Sequence, residues 1–217
     1  MESWDSSDRQ VLLQRCVGLD EHGQVPDLGT IRANRRSLAH SIFAALNLTE
    51  DDTVLDLGSG PGCIARWLAP RVKQMHCADI APGFLALCQE ELQGIDNAFC
   101  HLIPFGDLSA LHDIGITAVY ASALFIHFNI YDVYIYLQEI YNVLAPGGRV
   151  WFDYKPFDLN AKFQRHLNFY RSDREMLPRL LNYQHPETID HIARHIGFDG
   201  GVIEGSVFRL LTPAQVP

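Results

Sequence analysis

The chain is 217 residues long, 47% hydrophobic and formally charged at −9, with enough apolar material to bury one full core and no overall basic footprint to offer phosphates. A single domain without a nucleic-acid partner is expected, and with no run of about 20 apolar residues a membrane span is not expected either. Five cysteines, odd in number and without C-x-x-C spacing, fit a reducing compartment and neither a zinc site nor a disulfide framework, so no metal is expected.

In chain order, the opening Met1-Glu2-Ser3-Trp4-Asp5 has neither the basic region nor the apolar core of a signal peptide, and the protein reads as cytoplasmic. Residues 9–16 fit a short helix ahead of the core. Residues 31–46 fit a longer one, with Arg32, Asn34, Arg35 and Arg36 at its start. Cations crowd unfavourably at a helix N-terminus unless an anion compensates, so the cluster is either surface or meets a bound carboxylate. Thr53-Val54-Leu55-Asp56-Leu57 suits a buried parallel strand. It runs into Gly58-Ser59-Gly60-Pro61-Gly62, alternate glycines that let backbone approach a ligand closely. Residues 63–68 are helical in composition, so the loop delivers a helix N-terminus to that ligand. The dinucleotide fingerprint G-x-G-x-x-G needs a third glycine where Cys63 stands, and no G-x-x-x-x-G-K-[ST] occurs. Cys63 is read as a small packing residue rather than a reactive thiol.

Residues 54–62 match [V/I]-L-[D/E]-x-G-x-G-x-G, the first motif of the class I S-adenosylmethionine-dependent methyltransferases, at every defined position, and the chain resembles that family. The resemblance implies S-adenosyl-L-methionine as cofactor, held by Asp56, Gly58, Ser59, Gly60 and Gly62. The next strand, 75–79, ends in Asp79 at about the distance where an acid in a βαβ unit takes ribose hydroxyls; Asp79 is the expected ribose ligand, with Ile80 beside it. A helix is expected over 82–92 and a third strand over 98–103. The family places an acid soon after this strand to hold the adenine amino group. Here Ile103-Pro104-Phe105-Gly106 intervenes before Asp107, so either Asp107 reaches back or the ring is held by backbone and apolar contacts. The fourth strand, 118–121, leads to the edge that in the family lies under the transferable methyl group, which adds Ala121 to the cofactor set. The N/D-P-P-[Y/F/W] sequence of relatives acting on amide or adenine nitrogens is absent, which argues against those substrates.

Residues 132–144 have apolar positions at helical spacing, Ala145-Pro146-Gly147-Gly148 ends that helix, and 149–153 give a fifth strand. Leu-x-Pro-Gly-Gly before a hydrophobic strand again resembles the family. Residues 186–196 read as a capped amphipathic helix and 202–211 can supply the last two strands. Between them lies 155–185, about 30 residues where a minimal crossover needs roughly a dozen; helical spacing appears at 160–170 and 173–181. Over 155–195 seven Lys or Arg stand against five Asp or Glu, so this stretch is either a solvated helical face or a cap favouring an anionic acceptor.

The fold implied is α/β, a doubly wound, seven-stranded, mostly parallel sheet of the Rossmann-like methyltransferase type in the order 3-2-1-4-5-7-6, its last strand antiparallel, with a helical lid. One domain, 1–217, would comprise an N-terminal lid segment (1–30), a cofactor-binding core (31–154), a substrate cap (155–185) and a closing helix and strands (186–217). The expected function is O- or N-methylation of a small molecule. The alternatives are an enzyme of the same fold that cyclises or cleaves S-adenosylmethionine itself, a protein or RNA methyltransferase, and a catalytically silent binding subunit. Ligands of open α/β sheets bind outside the carboxyl ends of the strands. The catalytic candidates are therefore His127, just past the fourth strand, and Asp153 and Tyr154, at the end of the fifth. Histidine ionises in the range suited to a base near neutrality.

Overall fold

Residues Thr53–Leu57 form β1 with every residue buried, as an aliphatic strand must be when helices cover both its faces. The computed structural model describes residues 6–17, 24–172, 174, 181–202 and 208–213. On one flank β1 pairs in parallel with β2 (Gln74–Asp79), which pairs with β3 (Ala98–Leu102). On the other it pairs with β4 (Ile116–Ala121), which pairs with β5 (Leu144–Asp153). Beyond a separate two-stranded sheet of β6 (Lys155–Pro156) and β7 (Tyr183–Gln184), the chain adds β8 (Phe198–Val202) and β9 (Phe208–Pro213) to the main sheet, whose order is β3-β2-β1-β4-β5-β9-β8. Strand β9 is antiparallel to both neighbours. Strand order reverses between β1 and β4, which opens a crevice at their carboxyl ends.

Ahead of β1 lie α1 (Arg9–Val17) and α2 (Leu28–Ala45). With α3 (Ala65–Leu68) and α4 (Pro82–Glu91), α2 covers one face of the sheet through Ile42, Leu68, Met75, Cys88 and Trp151. The other face carries α5 (Ile130–Val143), a 3-10 turn at Ser109–Ile114 and, after α6 (Ala161–Ser172), α7 (Pro186–Ile196); Leu111, Leu137, Ile140 and Ile189 join them. Helix α1 packs outside through Leu12 and Leu13 on Ile31, Phe84 and Leu87, and Arg9 pairs with Glu90 at 2.6 Å. At the amino end of the sheet Asp52 ties four segments together. Its Oδ1 accepts from Thr117 Oγ1 at 2.6 Å and Arg149 Nη2 at 2.7 Å, and its Oδ2 from Thr49 N at 2.8 Å, while Arg149 Nε donates to Leu46 O at 2.7 Å.

Several boundaries differ from the sequence expectation. Helix α2 starts at Leu28 rather than 31 because Asp27 caps it, Oδ1 accepting from Thr30 N at 2.8 Å; its arginines therefore lie inside the helix. Strand β5 begins at Leu144, so the Ala145-Pro146-Gly147-Gly148 stretch belongs to the strand's irregular start, where the register with β4 shifts. Strand β8 begins at Phe198, directly after the Gly197 cap of α7, and not at 202. The helix expected at 173–181 lies outside the described residues apart from Arg174 and Leu181. The end of the 155–185 segment is fastened to the loop after β4: Asn182 N donates to Ile126 O at 2.7 Å, Asn182 Nδ2 to His127 O at 2.9 Å and Gln184 Nε2 to Phe128 O at 2.6 Å. Among the described residues no helix is long and apolar enough to cross a membrane.

Candidate cofactor and active site

The carboxyl ends of β1, β2 and β4 open into a cavity of about 1050 Å³ whose floor is the glycine loop. Two of the glycines are required for different reasons. Gly60 has φ +52, and a Cβ there would meet only Cys16 Sγ at 4.0 Å; Gly62 has φ +74, and a Cβ there would lie 2.7 Å from Cys88 Sγ. The first is open towards the cavity and the second is closed against α4. Gly60 N donates to Asp79 Oδ2 and Ala81 N to Asp79 Oδ1, both at 2.9 Å, so one carboxylate at the end of β2 fixes the loop and the start of α4 while lining the cavity. Ser59 Oγ is buried in the cavity wall without a hydrogen-bond partner, a vacancy that a polar ligand atom would fill. Burial raises the Asp56 carboxyl to about 7. The buried Tyr120 hydroxyl opposes this, and Asp79 adds to the rise.

Of the residues expected to hold the cofactor, Asp56, Gly58, Ser59, Gly60, Asp79 and Ile80 line the cavity; Gly62, Ala121 and Asp107 do not. Ala121 is fully buried within β4, and Ser122, Ala123 and Leu124 form that wall instead. Asp107 is turned away because its Oδ1 accepts from Ser109 N at 2.8 Å, the local bond that aspartate makes two residues on in a turn. Ile103 and Phe105 stand in the wall there. Of the catalytic candidates only His127 lines the cavity. Asp153 accepts from Ala123 N at 2.6 Å and so holds a residue at φ +56, rare for a side chain with Cβ. Burial raises its carboxyl to about 6. Tyr154 is packed in the core, 3% exposed. Cys63 is pushed up to about 12 by burial, as befits a packing residue.

The α2 arginines separate by role. Arg32 Nη1 pairs with Glu91 at 3.1 Å, Arg36 lies over the Trp67 ring at 5.1 Å, and Arg35 reaches the cavity wall, as does Arg15 of α1. Phe105, Phe128 and Tyr136 had no sequence signal as a group. Phe128 and Tyr136 stack at 4.4 Å with Phe105 edge-on to Tyr136 at 5.3 Å, and together they make an aromatic end to the cavity. Asp132, read from sequence only as a helix residue, also lines it. No described residue of 155–185 does, so the basic stretch supplies none of the described wall and the charge argument for an anionic acceptor loses its contact. Among the described residues no cluster of three or more His, Cys, Asp or Glu could hold a metal ion.

Residues 54–148, from the second residue of β1 into β5, match the family model described as a methyltransferase domain. Over these residues the chain is similar to a methyltransferase domain. Solved structures share the fold. The YcgJ protein of Bacillus subtilis is 17% identical with a TM-score of 0.64, covering 76% of this chain and 70% of that one. A SAM-dependent methyltransferase of Methanosarcina mazei is 16% identical with a TM-score of 0.63, covering 83% and 98%. Human N-acetylserotonin methyltransferase in complex with SAM is 16% identical with a TM-score of 0.64, covering 87% and 55%. No curated protein matches the sequence.

Proposed function

We propose that the protein transfers a methyl group from S-adenosylmethionine to an oxygen or nitrogen of a small molecule bound at the aromatic end of the cavity. The observation that carries this is volume. Small-ligand sites run to about 1,000 Å³, and the cavity here, about 1050 Å³, stands at the top of that range, with its aromatic end lying beyond the residues that would hold the cofactor. The cofactor supplies an activated methyl on a sulfonium. Asp79 would take the ribose hydroxyls, Ser59 Oγ a polar atom of the methionine portion and Arg35 its carboxylate. Ile80 and Ile103 would flank the adenine in place of an acid. Holding the acceptor in line accounts for much of the rate in such a displacement, and His127 would take a proton where the acceptor carries one.

In this reading residues 1–217 act as one domain and 155–185 acts as a cap. Its described part works from behind the wall, because Asn182 and Gln184 hold the carbonyls of His127 and Phe128. The test is calorimetric: S-adenosylhomocysteine binds and raises the melting temperature, whereas NAD and ATP do neither. Binding of NAD without binding of the thioether sinks the reading. Consumption of S-adenosylmethionine to cyclised or cleaved products, with no methylated acceptor, replaces it with the non-methylating alternative.

A further inference from the structure

Away from the cavity three thiols converge. Cys77 on β2 and Cys100 on β3 are register partners on adjacent strands, and Cys88 of α4 packs over them with its Sγ 3.6 Å from that of Cys100. Cys77 and Cys88 are fully buried, whereas Cys100, on the edge strand of the sheet, is only partly so. The thiols also differ in acidity. The neighbouring thiols Cys77 and Cys88 hold Cys100 below the usual thiol range, while Cys88 is pushed up by Cys100 and by burial. A partly accessible, acidified thiol beside a buried second thiol is the arrangement that oxidises reversibly. The consequence lies in what rests on Cys88. Its Sγ is the atom that a Cβ on Gly62 would strike at 2.7 Å, and its Cα stands 3.4 Å from the same point, so the glycine loop is seated on this side chain.

We propose that Cys88 and Cys100 form a reversible disulfide under peroxide, and that closing it unseats the glycine loop and weakens cofactor binding. The Cys100 thiolate attacks one peroxide oxygen, the O–O bond breaks and hydroxide leaves, giving a sulfenic acid. The Cys88 sulfur then displaces the sulfenic oxygen, forming the S–S bond and releasing water once its proton is transferred. Two thiols are oxidised by two electrons and one hydrogen peroxide is reduced to two waters. A disulfide needs sulfurs at about 2.05 Å, so the 3.6 Å separation must close, and Cys88 Sγ cannot make that move while keeping its seat under Gly62. The coupling to affinity rests on the loop holding the cofactor; the disulfide does not.

The reduced protein is treated with hydrogen peroxide and its intact mass measured. Cleavage after Glu90 and Glu91 separates Cys100 from the other two thiols, and cleavage after Phe84 separates Cys77 from Cys88. The expected result is loss of two hydrogens, a Cys88–Cys100 link reversed by dithiothreitol, and amide exchange in residues 58–63 several-fold faster. S-adenosylhomocysteine affinity should fall by about tenfold, the scale on which a displaced core contact acts. Cys100→Ser should keep the reduced behaviour in peroxide, and Cys88→Ala should form no link. A Cys77–Cys100 link, overoxidation of Cys100 without a link, or a Cys88–Cys100 link with unchanged loop exchange overturns the proposal. If the reduced protein does not bind the thioether at all, the cofactor reading falls, while mass and exchange still decide this one.

Discussion

Gly60 and Gly62 stand two residues apart in one loop, and their substitutions should fail in different ways. At Gly60 an added side chain enters open cavity at φ +52; Gly60→Val should abolish binding of S-adenosylhomocysteine while lowering stability only by the strain of a left-handed backbone, about 1–2 kcal/mol. At Gly62 an added methyl collides with Cys88. Gly62→Ala should cost about 2–4 kcal/mol in urea unfolding, from over-packing added to the same strain. Equal stability losses at the two positions would remove the distinction. Asp56 carries a pH signature. Its carboxyl, raised by burial to about 7 in the folded protein, ionises near 4 in the unfolded chain. Between roughly pH 4 and 7 the folded state therefore holds a proton that the unfolded state has released, and stability falls as pH rises through that window. Asp56→Asn should flatten the fall, measured as the difference in unfolding free energy between pH 5 and pH 8.

At the scale of elements, two fastenings hold the site from outside. Asp52 joins the end of α2, β1, β4 and β5 at the amino end of the sheet, and its side chain is 7% exposed. Burial disfavours its charge, but the bonds from Thr117, Arg149 and Thr49 prevail and hold its carboxyl below the usual range. That contribution is complete above the unfolded value near 4 and is lost as pH falls through the folded one. Arg149→Met should cost about 3 kcal/mol at neutral pH by stranding a buried charge, and less in acid; a loss independent of pH would exclude the carboxylate as its cause. The second fastening is Gln184 on the Phe128 carbonyl, a fully covered bond of 2.6 Å. Gln184→Ala should cost about 1–3 kcal/mol. If the cap works through the wall it supports, the variant should also raise KM for the acceptor while leaving S-adenosylhomocysteine affinity unchanged.

Over the whole molecule, ligand binding should be read out unevenly. S-adenosylhomocysteine at about 100 times its Kd should add about 2.7 kcal/mol to stability. Hydrogen exchange should slow in α1, whose Arg15 and Cys16 line the cavity, and change little in the buried β1. Helix α6, with Phe169 and Tyr170 partly exposed and no residue in the cavity wall, should respond only when an acceptor is added. Slowing of α6 by the thioether alone would mean that it closes on the cofactor. Residues 183–184 should be protected throughout, since β7 pairs with β6 and is tied to the loop after β4.

The boundaries of β1 and the build of the glycine loop were legible in the chain because each depends on neighbours in sequence: an aliphatic run for a strand buried on both faces, residues without Cβ for a close approach. The same locality made Asp79 and α7 legible. Asp153 and Tyr154 were misplaced for the opposite reason. Proximity to a strand end places a residue near the crevice, but the direction of its side chain depends on partners far away in sequence, such as the Ala123 N–H that occupies Asp153. Phe105, Phe128 and Tyr136 become one wall only when β3, β4 and α5 pack together, and the Cys77, Cys88 and Cys100 cluster exists only because β2, β3 and α4 meet. The sequence by itself determined the glycine loop after β1 and the acid at the end of β2, which are local backbone chemistry. Only the tertiary structure decided which arginine reaches the cavity, what its far end is made of and where Asn182 and Gln184 take hold, because each is a meeting of side chains that the chain order keeps apart.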